Sequence, residues 1–157
     1  MWFIFPQHKA LGHSPMAKSF GISCLEEAEE YLQHPVLGPR LRECTKLVYR
    51  VEGRTILQIL HSPDNLKFRS CMTLFSFAAD SLRRKEIERE SESGKGEEDE
   101  RKENGANVQA GEGERVSDKE KFERDKDLFD ASIAKYYGKV EYCQRTVNKL
   151  EMETYRK

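Results

Sequence analysis

The chain has 157 residues, of which 37% are hydrophobic and 35% charged, and its formal net charge is −1. This length suits one domain, and the near-zero charge excludes the strongly basic surface typical of nucleic-acid-binding domains. No apolar run approaches the roughly 20 residues of a membrane-spanning helix, and residues 1–6 lack the basic n-region of a secretory signal. We therefore expect no membrane segment and a cytoplasmic or nuclear location.

Charge is concentrated between Arg83 and Glu120, where 9 Lys and Arg stand against 13 Asp and Glu, leaving a net charge of +3 on the rest of the chain. All the aromatic residues lie outside this segment. Its composition cannot bury enough apolar surface to offset the entropy cost of ordering. The sequence therefore predicts a disordered acidic insert at residues 83–120, between two helical parts of one domain, residues 1–82 and 121–157.

The four cysteines, Cys24, Cys44, Cys71 and Cys143, are widely separated, with no C-x-x-C pair. Zinc sites usually show paired ligands at short spacing. Three of these cysteines lie on predicted apolar helix faces, where a free thiol behaves as a small hydrophobe. We predict no metal site and no cofactor.

The N-terminal part begins with large hydrophobic residues at positions 2–5, followed by a predicted loop over residues 6–15. Ser23 and Glu26 form a capping-box pattern that predicts a helix from there to about His34. Three apolar residues occupy one face of this helix, and four glutamates are predicted on its solvent side: Glu26, Glu27, Glu29 and Glu30.

A second helix is predicted from Pro39 to Val51, because apolar residues recur there at steps of four and three. Gly53 ends it, and a short helix is predicted from Thr55 to His61. The apolar residues that predict the helix from Pro39 to Val51 are Leu37, Leu41, Cys44, Val48 and Val51.

Ser62-Pro63-Asp64 is typical of a helix start, and the helix it opens is predicted to run to about Ala79. Its apolar residues form two adjacent stripes, which indicates a central helix. Beyond the insert, an apolar face from Phe122 to Tyr136 predicts another helix that Gly138 ends, and a last helix is predicted from about Gln144. The predicted fold class is mainly α, a single compact multi-helix domain interrupted by the long disordered charged insert.

Several strings then identify a family resemblance. They are W-F-I-F-P-Q at 2–7, L-G-H-S-P-M-A at 11–17, H-P-V-L-G-P-R-L-R-E at 34–43, L-K-F-R-S-C-M-T-L-F at 66–75 and Y-Y-G at 136–138. Together they resemble domain-of-unknown-function family 1810, an all-helical family of bacteria and fungi. The name calpastatin is sometimes attached to it, and no residue pattern here supports that label.

The resemblance implies an N-terminal helical segment before the W-F-I-F-P-Q string, which this chain lacks, so we expect an alternatively started or truncated product. It also implies a short connection where this chain has its acidic insert. The order of elements further resembles a superfamily that processes NAD-derived ADP-ribosyl compounds, in which a basic K-F string opens a late helix.

Lys67, Arg69 and Ser70 lie in the first turns of the helix after Pro63, where free N–H groups and cations can hold a phosphate. The simpler interpretation is that they are solvated charges or an ion-pair anchor. Arg40 is a candidate clamp for a carboxylate or phosphate, and a structural salt bridge is the favoured alternative. A phosphate-bearing small molecule is the partner this arrangement would accept.

Trp2, Phe5 and Gln7 are candidate pocket residues, with aromatic walls for a ring and an amide to orient it. Core packing is the favoured alternative for the two aromatic residues. No hydroxyl or thiol has a base nearby in the sequence, and no G-x-S-x-G string occurs, so nucleophilic catalysis is unsupported.

Three functional hypotheses follow. The first is a small helical binding or accessory module without an activity that the sequence can identify. The second is a protein that binds or processes a nucleotide derivative, with Arg40, Lys67 and Arg69 on its phosphates. The third makes the acidic insert a protein-interaction segment carried by the helices. Whether the chain is an enzyme, and its oligomeric state, are left open.

Overall fold

The computed structural model describes residues 1, 3–93, 117–138 and 141–154. This described part contains a short 3-10 helix, Lys9–Leu11, and seven α-helices, with no β-strand. The α-helices are α1 (Pro15–Ser19), α2 (Leu25–Gln33), α3 (Leu37–Tyr49), α4 (Ile56–Leu60), α5 (Asp64–Ser93), α6 (Asp118–Tyr137) and α7 (Gln144–Thr154). The predicted mainly α fold class is confirmed. None of these helices is long and apolar enough to cross a membrane.

Helix α5 lies at the centre, because its apolar residues occupy two adjacent stripes and must be covered on more than one side. Helices α2, α4, α6 and α7 all contact it. The predicted central position is therefore confirmed. Its fully buried apolar side chains are Phe68, Cys71, Met72, Leu74, Phe75, Ala78 and Ala79.

Helix α6 runs antiparallel along α5. Near the end of α5, Glu90 pairs with Lys119 at 3.2 Å. In the middle, the Ser76 hydroxyl donates to Asp130 at 2.6 Å. The Tyr137 hydroxyl donates to a backbone carbonyl in the first turn of α5. These contacts fix α6 along most of the length of α5.

The largest difference from prediction is at the end of α5. This helix was expected to end near Ala79, and it continues to Ser93. The extension carries few apolar residues, but ion pairs at i,i+3 and i,i+4 support it. Lys85 also pairs with the buried carboxylate of Glu29 in α2. Helix α6 begins at Asp118, so the predicted acidic insert is helical at both margins. Residues 94–116 lie outside the described residues.

The start of α2 also differs from prediction, since Cys24 rather than Ser23 is its N-cap residue. The Ser23 amide donates to the Glu27 carboxylate at 2.7 Å, so Glu27 takes the role predicted for Glu26. The prediction that Glu29 faces solvent is wrong, because a lysine of α5 holds its carboxylate at the buried α2–α5 contact.

The predicted loop over residues 6–15 contains the 3-10 helix and ends where α1 begins. Ser14 caps α1, its hydroxyl accepting from the Ala17 amide at 3.1 Å. Five residues carry too little apolar periodicity to predict a helix. Helix α3 begins at Leu37, two residues before the predicted start at Pro39.

We expect Phe75→Ala to lower the free energy of unfolding by about 3–5 kcal/mol, because it leaves a cavity in the fully buried part of the core. The Phe75 ring is fully buried between Tyr31 and Phe129. Urea unfolding checks this. Leu66→Ala is the control on the same helix, since that side chain is 57% exposed and its loss should cost less than about 0.5 kcal/mol. Equal effects of the two changes would contradict the assigned core.

A basic groove between helices α3 and α6

Five basic side chains line a groove of about 630 Å³ between α3 and α6. Arg42, Lys46 and Arg50 recur every four residues, so they share one side of α3. They cover about 12 Å along that helix at 1.5 Å per residue. Lys121 and Arg124 line the groove from α6. Two helices therefore bring cations from distant parts of the sequence to one surface.

The base of the groove is a buried ion pair. Arg42 Nε donates to Asp125 Oδ1 at 2.6 Å, and Nη2 donates to Oδ2 at 2.5 Å. The two side chains are 14% and 6% exposed. Two parallel hydrogen bonds of this kind fix geometry as well as charge. Nη2 also donates to the Leu32 carbonyl near the end of α2 at 3.1 Å, so one guanidinium joins three helices.

Gly38 allows this junction to form. A Cβ at this position would lie 2.1 Å from the Leu32 carbonyl oxygen and 2.6 Å from Arg42 Nη1. The first atom belongs to the backbone and cannot move aside without shifting α2. The first turn of α3 can therefore approach the end of α2 only with glycine at this position.

The other cations of the groove are not neutralised in the same way. Lys46, Arg50 and Arg124 make no ion pair with any residue in the part of the chain that the structure describes. Lys121 has a carboxylate neighbour only at 3.9 Å. Glu43 is the one other acid among the described lining residues. The groove therefore carries an excess of positive charge that is open to solvent.

The groove also has an apolar element. Leu47 lines it and is 59% exposed, with Lys46 before it in the chain and Arg50 one turn further on. Pro39 adds a second apolar contact surface at the start of α3. The described lining residues include no hydroxyl, thiol or imidazole group, so the arrangement offers charge and apolar contact rather than a reacting atom.

The predicted ligand-binding residues at the start of α5 have partners within the protein. Lys67 pairs with Asp64 at 2.7 Å. Arg69 donates to the backbone carbonyl and the carboxylate of Glu141, each at 2.9 Å. Its guanidinium also lies 5.2 Å from the centre of the Tyr137 ring. These contacts orient both cations, and their role in phosphate binding stays a prediction.

Ser70 and Arg40 are in different places. Ser70 is buried, and its hydroxyl contacts the Leu66 carbonyl and Cys143 Sγ, each at 3.2 Å. Arg40 is exposed and lines a separate cavity of about 230 Å³ beside Phe3. The structure therefore brings Ser70 to the start of α7, while Arg40 belongs to another surface.

The predicted N-terminal pocket residues are described at two of their three positions, and both of those residues are buried. Phe5 is buried and its ring meets Phe68 edge to face with centroids 5.0 Å apart, as core packing requires. Gln7 is buried, and its backbone carbonyl accepts from the Ile22 amide at 3.0 Å. Trp2 lies outside the described residues.

The groove was not predicted from the sequence. The spacing of Arg42, Lys46 and Arg50 was an available signal, because cations four residues apart form a stripe on any helix. Lys121 and Arg124 offered none, since the face of α6 that meets α3 is set by tertiary packing. In the described part of the chain, no group of three His, Cys, Asp or Glu residues is placed to hold a metal ion.

The geometry defines a helical domain with an open basic groove, and two comparisons place it among known proteins. Residues 1–102 match the model of a family described as Protein of unknown function (DUF1810). The chain is also similar to the solved structure of the conserved hypothetical protein Rv1873 from Mycobacterium tuberculosis, with 39% identity and a TM-score of 0.66. That match covers 96% of this chain and 75% of the other. No curated protein matches the chain.

The chain belongs to the DUF1810 family. The resemblance predicted from its sequence strings is therefore confirmed, and the chain is a helical domain of a family whose function is not described. Neither the family description nor the name of the solved structure favours the nucleotide-derivative hypothesis.

We expect Asp125→Ala to lower the free energy of unfolding by about 3–5 kcal/mol, because it leaves the buried Arg42 guanidinium without its counter-charge. Chemical denaturation measures the change. Glu52→Ala is the control, since it breaks the Lys135 pair at a carboxylate that is 87% exposed and should cost less than about 1 kcal/mol. A loss from Asp125→Ala as small as that of the control would mean that the pair does not hold α3 against α6.

Proposed function

We propose that this protein is a binding module whose α3–α6 groove accepts an acidic segment of another protein. One observation carries the proposal: Lys46 and Arg50 form a row of cations that have no ion pair among the described residues, with the exposed Leu47 between them in the chain. Charges left unpaired along a defined surface attract a partner of opposite sign and set its orientation. The exposed side chain of Leu47 lies among these cations. It offers an apolar contact that a protein segment can make and a dissolved ion cannot.

The distribution of the cations favours a chain over a small anion. Lys46 and Arg50 lie about 6 Å apart along α3, and Lys121 and Arg124 add cations from α6, whereas one phosphate group is held by donors that converge on a single point. Here the cations are distributed over two helices. Acidic side chains one turn apart on a helical segment would repeat at the same spacing as Lys46 and Arg50.

Nucleic acid is a poorer fit for the same surface. The chain as a whole has a net charge of −1, and Glu43 lies among the cations of the groove. A polyphosphate backbone gains affinity mainly from the number of phosphates neutralised, which this mixed surface limits. A protein segment can place an apolar or basic residue opposite Glu43.

The test uses a fluorescent 18-residue helical peptide that repeats Glu and Leu, with a peptide that repeats Lys and Leu as its control. We expect the acidic peptide to bind, and Lys46→Glu to weaken it about tenfold by removing one attraction and adding one repulsion. Arg50→Glu should act in the same direction. Fluorescence anisotropy at low ionic strength measures the affinities, and added salt should weaken them.

Lys18→Glu is the matched control, because it makes the same charge change at an exposed position on α1. It should leave the affinity for the acidic peptide within about twofold of the original. The proposal fails if Lys18→Glu and Lys46→Glu weaken binding equally, because net charge alone would then explain the attraction. It also fails if single-stranded RNA binds more tightly than the acidic peptide and Lys46→Glu abolishes that binding.

A further inference from the structure

A second cavity, of about 350 Å³, lies between helix α7 and the end of the 3-10 helix. The residues that line it from α7 are spaced at i, i+3, i+4 and i+7, so they share one face of that helix. They are Arg145, Asn148, Lys149 and Met152. The lining residues of the N-terminal part are Ala10, Leu11 and His13. No described residue lines both this cavity and the groove between α3 and α6, so the two are separate sites.

Contacts on the buried side of α7 hold the two walls of this cavity in place. Thr146 and Leu150 are buried against the rest of the domain. His8 is buried as well, and its Nδ1 accepts from the Ala10 amide at 3.2 Å. Its Nε2 therefore donates to Glu153 Oε1, at 2.7 Å. Because His8 joins the 3-10 helix to α7, the cavity is formed before any ligand enters it.

The basic side chains of this cavity have no counter-charge. Arg145, Lys149 and His13 make no ion pair with any residue that the structure describes, and none of the described lining residues is acidic. The glutamates of α7 do not line the cavity, and the carboxylate of Glu153 binds His8. The groove between α3 and α6 differs, because acidic residues lie among its cations. Here the positive charge faces solvent without local opposition.

The other lining residues supply an oriented donor and an apolar wall. Asn148 Oδ1 accepts from Gln144 Nε2 at 2.8 Å, which fixes the side-chain amide. Its Nδ2 has no acceptor among the described residues, so it can donate to a ligand. Leu11 and Met152 form the apolar wall, and Met152 is 56% exposed. A methionine side chain adapts readily to the shape of what it contacts.

We propose that this cavity binds a small phosphate monoester whose ester group is apolar. A phosphate monoester carries a charge of about −1.5 to −2 at pH 7, which Arg145 and Lys149 together match. Its terminal oxygens can accept from these two cations, from His13 and from Asn148. The ester group then lies against the apolar wall. The volume of about 350 Å³ is within the range of small-molecule sites.

A simple carboxylate matches the same site less well. It carries one negative charge and two oxygens, so one of the two cations would stay unneutralised. An inorganic phosphate matches the charge but leaves the apolar wall in contact with water. The combination of two cations, an amide donor and an apolar wall therefore selects an ester of phosphate. This inference does not rest on the function proposed for the groove between α3 and α6.

The experiment titrates the isotope-labelled full chain with phenyl phosphate at pH 7 and follows the backbone amide signals by NMR. We expect a Kd of about 1 mM or below, with the largest shifts at residues 10–13 and 145–152. Inorganic phosphate lacks the ring, phenol lacks the anion and benzoate carries only one charge. Each of these three should bind at least about threefold more weakly than phenyl phosphate.

Variants at the surface of α7 separate the two parts of the site. Arg145→Gln and Lys149→Gln should each weaken phenyl phosphate about fivefold, because each removes one cation from a solvent-accessible site. Neither residue is buried, so the fold should be kept. Met152→Gln should weaken phenyl phosphate about threefold and leave inorganic phosphate unchanged, since it alters the apolar wall alone. Lys46→Gln is the matched control, because it removes the same charge in the other groove.

The proposal is overturned if the shifts centre on the groove between α3 and α6, or if Lys46→Gln weakens phenyl phosphate as much as Lys149→Gln does. Benzoate or inorganic phosphate binding as tightly as phenyl phosphate would exclude the proposed class of ligand. The absence of any shift at about 10 mM phenyl phosphate would exclude the site itself. These readings on the unaltered chain stand even where a variant does not fold.

Discussion

Between Phe68 and Leu82, helix α5 presents apolar side chains on several sides, and each of them has to be covered by another element. Helix α6 covers one side along almost the whole length, while α2 and α7 cover others. Packing against α5 therefore sets the positions of α2, α6 and α7. Helix α3 makes its main contacts with α2 and α6 rather than with α5. The Arg42–Asp125 ion pair holds α3 against α6.

Burial divides the basic residues of the domain into two kinds. Arg42 is held in a bidentate pair away from water, where loss of one partner is expensive, so it fixes the distance between α3 and α6. Lys46 and Arg50 are exposed and unpaired within the described residues, so they contribute little to stability and remain available to a partner. Helix α3 therefore carries a structural cation, Arg42, one turn before Lys46, the cation that we propose for recognition.

The sequence predicts those parts of the fold that depend on local periodicity. The apolar stripes from Phe68 to Ala79 identify the central helix, because spacing along one segment determines its faces. The continuation of α5 to Ser93 is supported by ion pairs, three of them within the helix and one with Glu29, which is 56 positions before Lys85. The pairing with Glu29 is set by tertiary packing and leaves no local pattern. The groove and the Ser70–Cys143 contact depend on tertiary packing in the same way.

The antiparallel contact of α5 and α6 means that the core does not rely on covalent continuity between them. Residues before Ser93 and after Ser117 share one interior, with Phe75 of the first part against Phe129 of the second. The ion pair between Glu90 and Lys119 brings the two ends together without the intervening chain. The domain is in this sense a two-piece assembly written as one polypeptide, in which the two pieces recognise each other through their shared core.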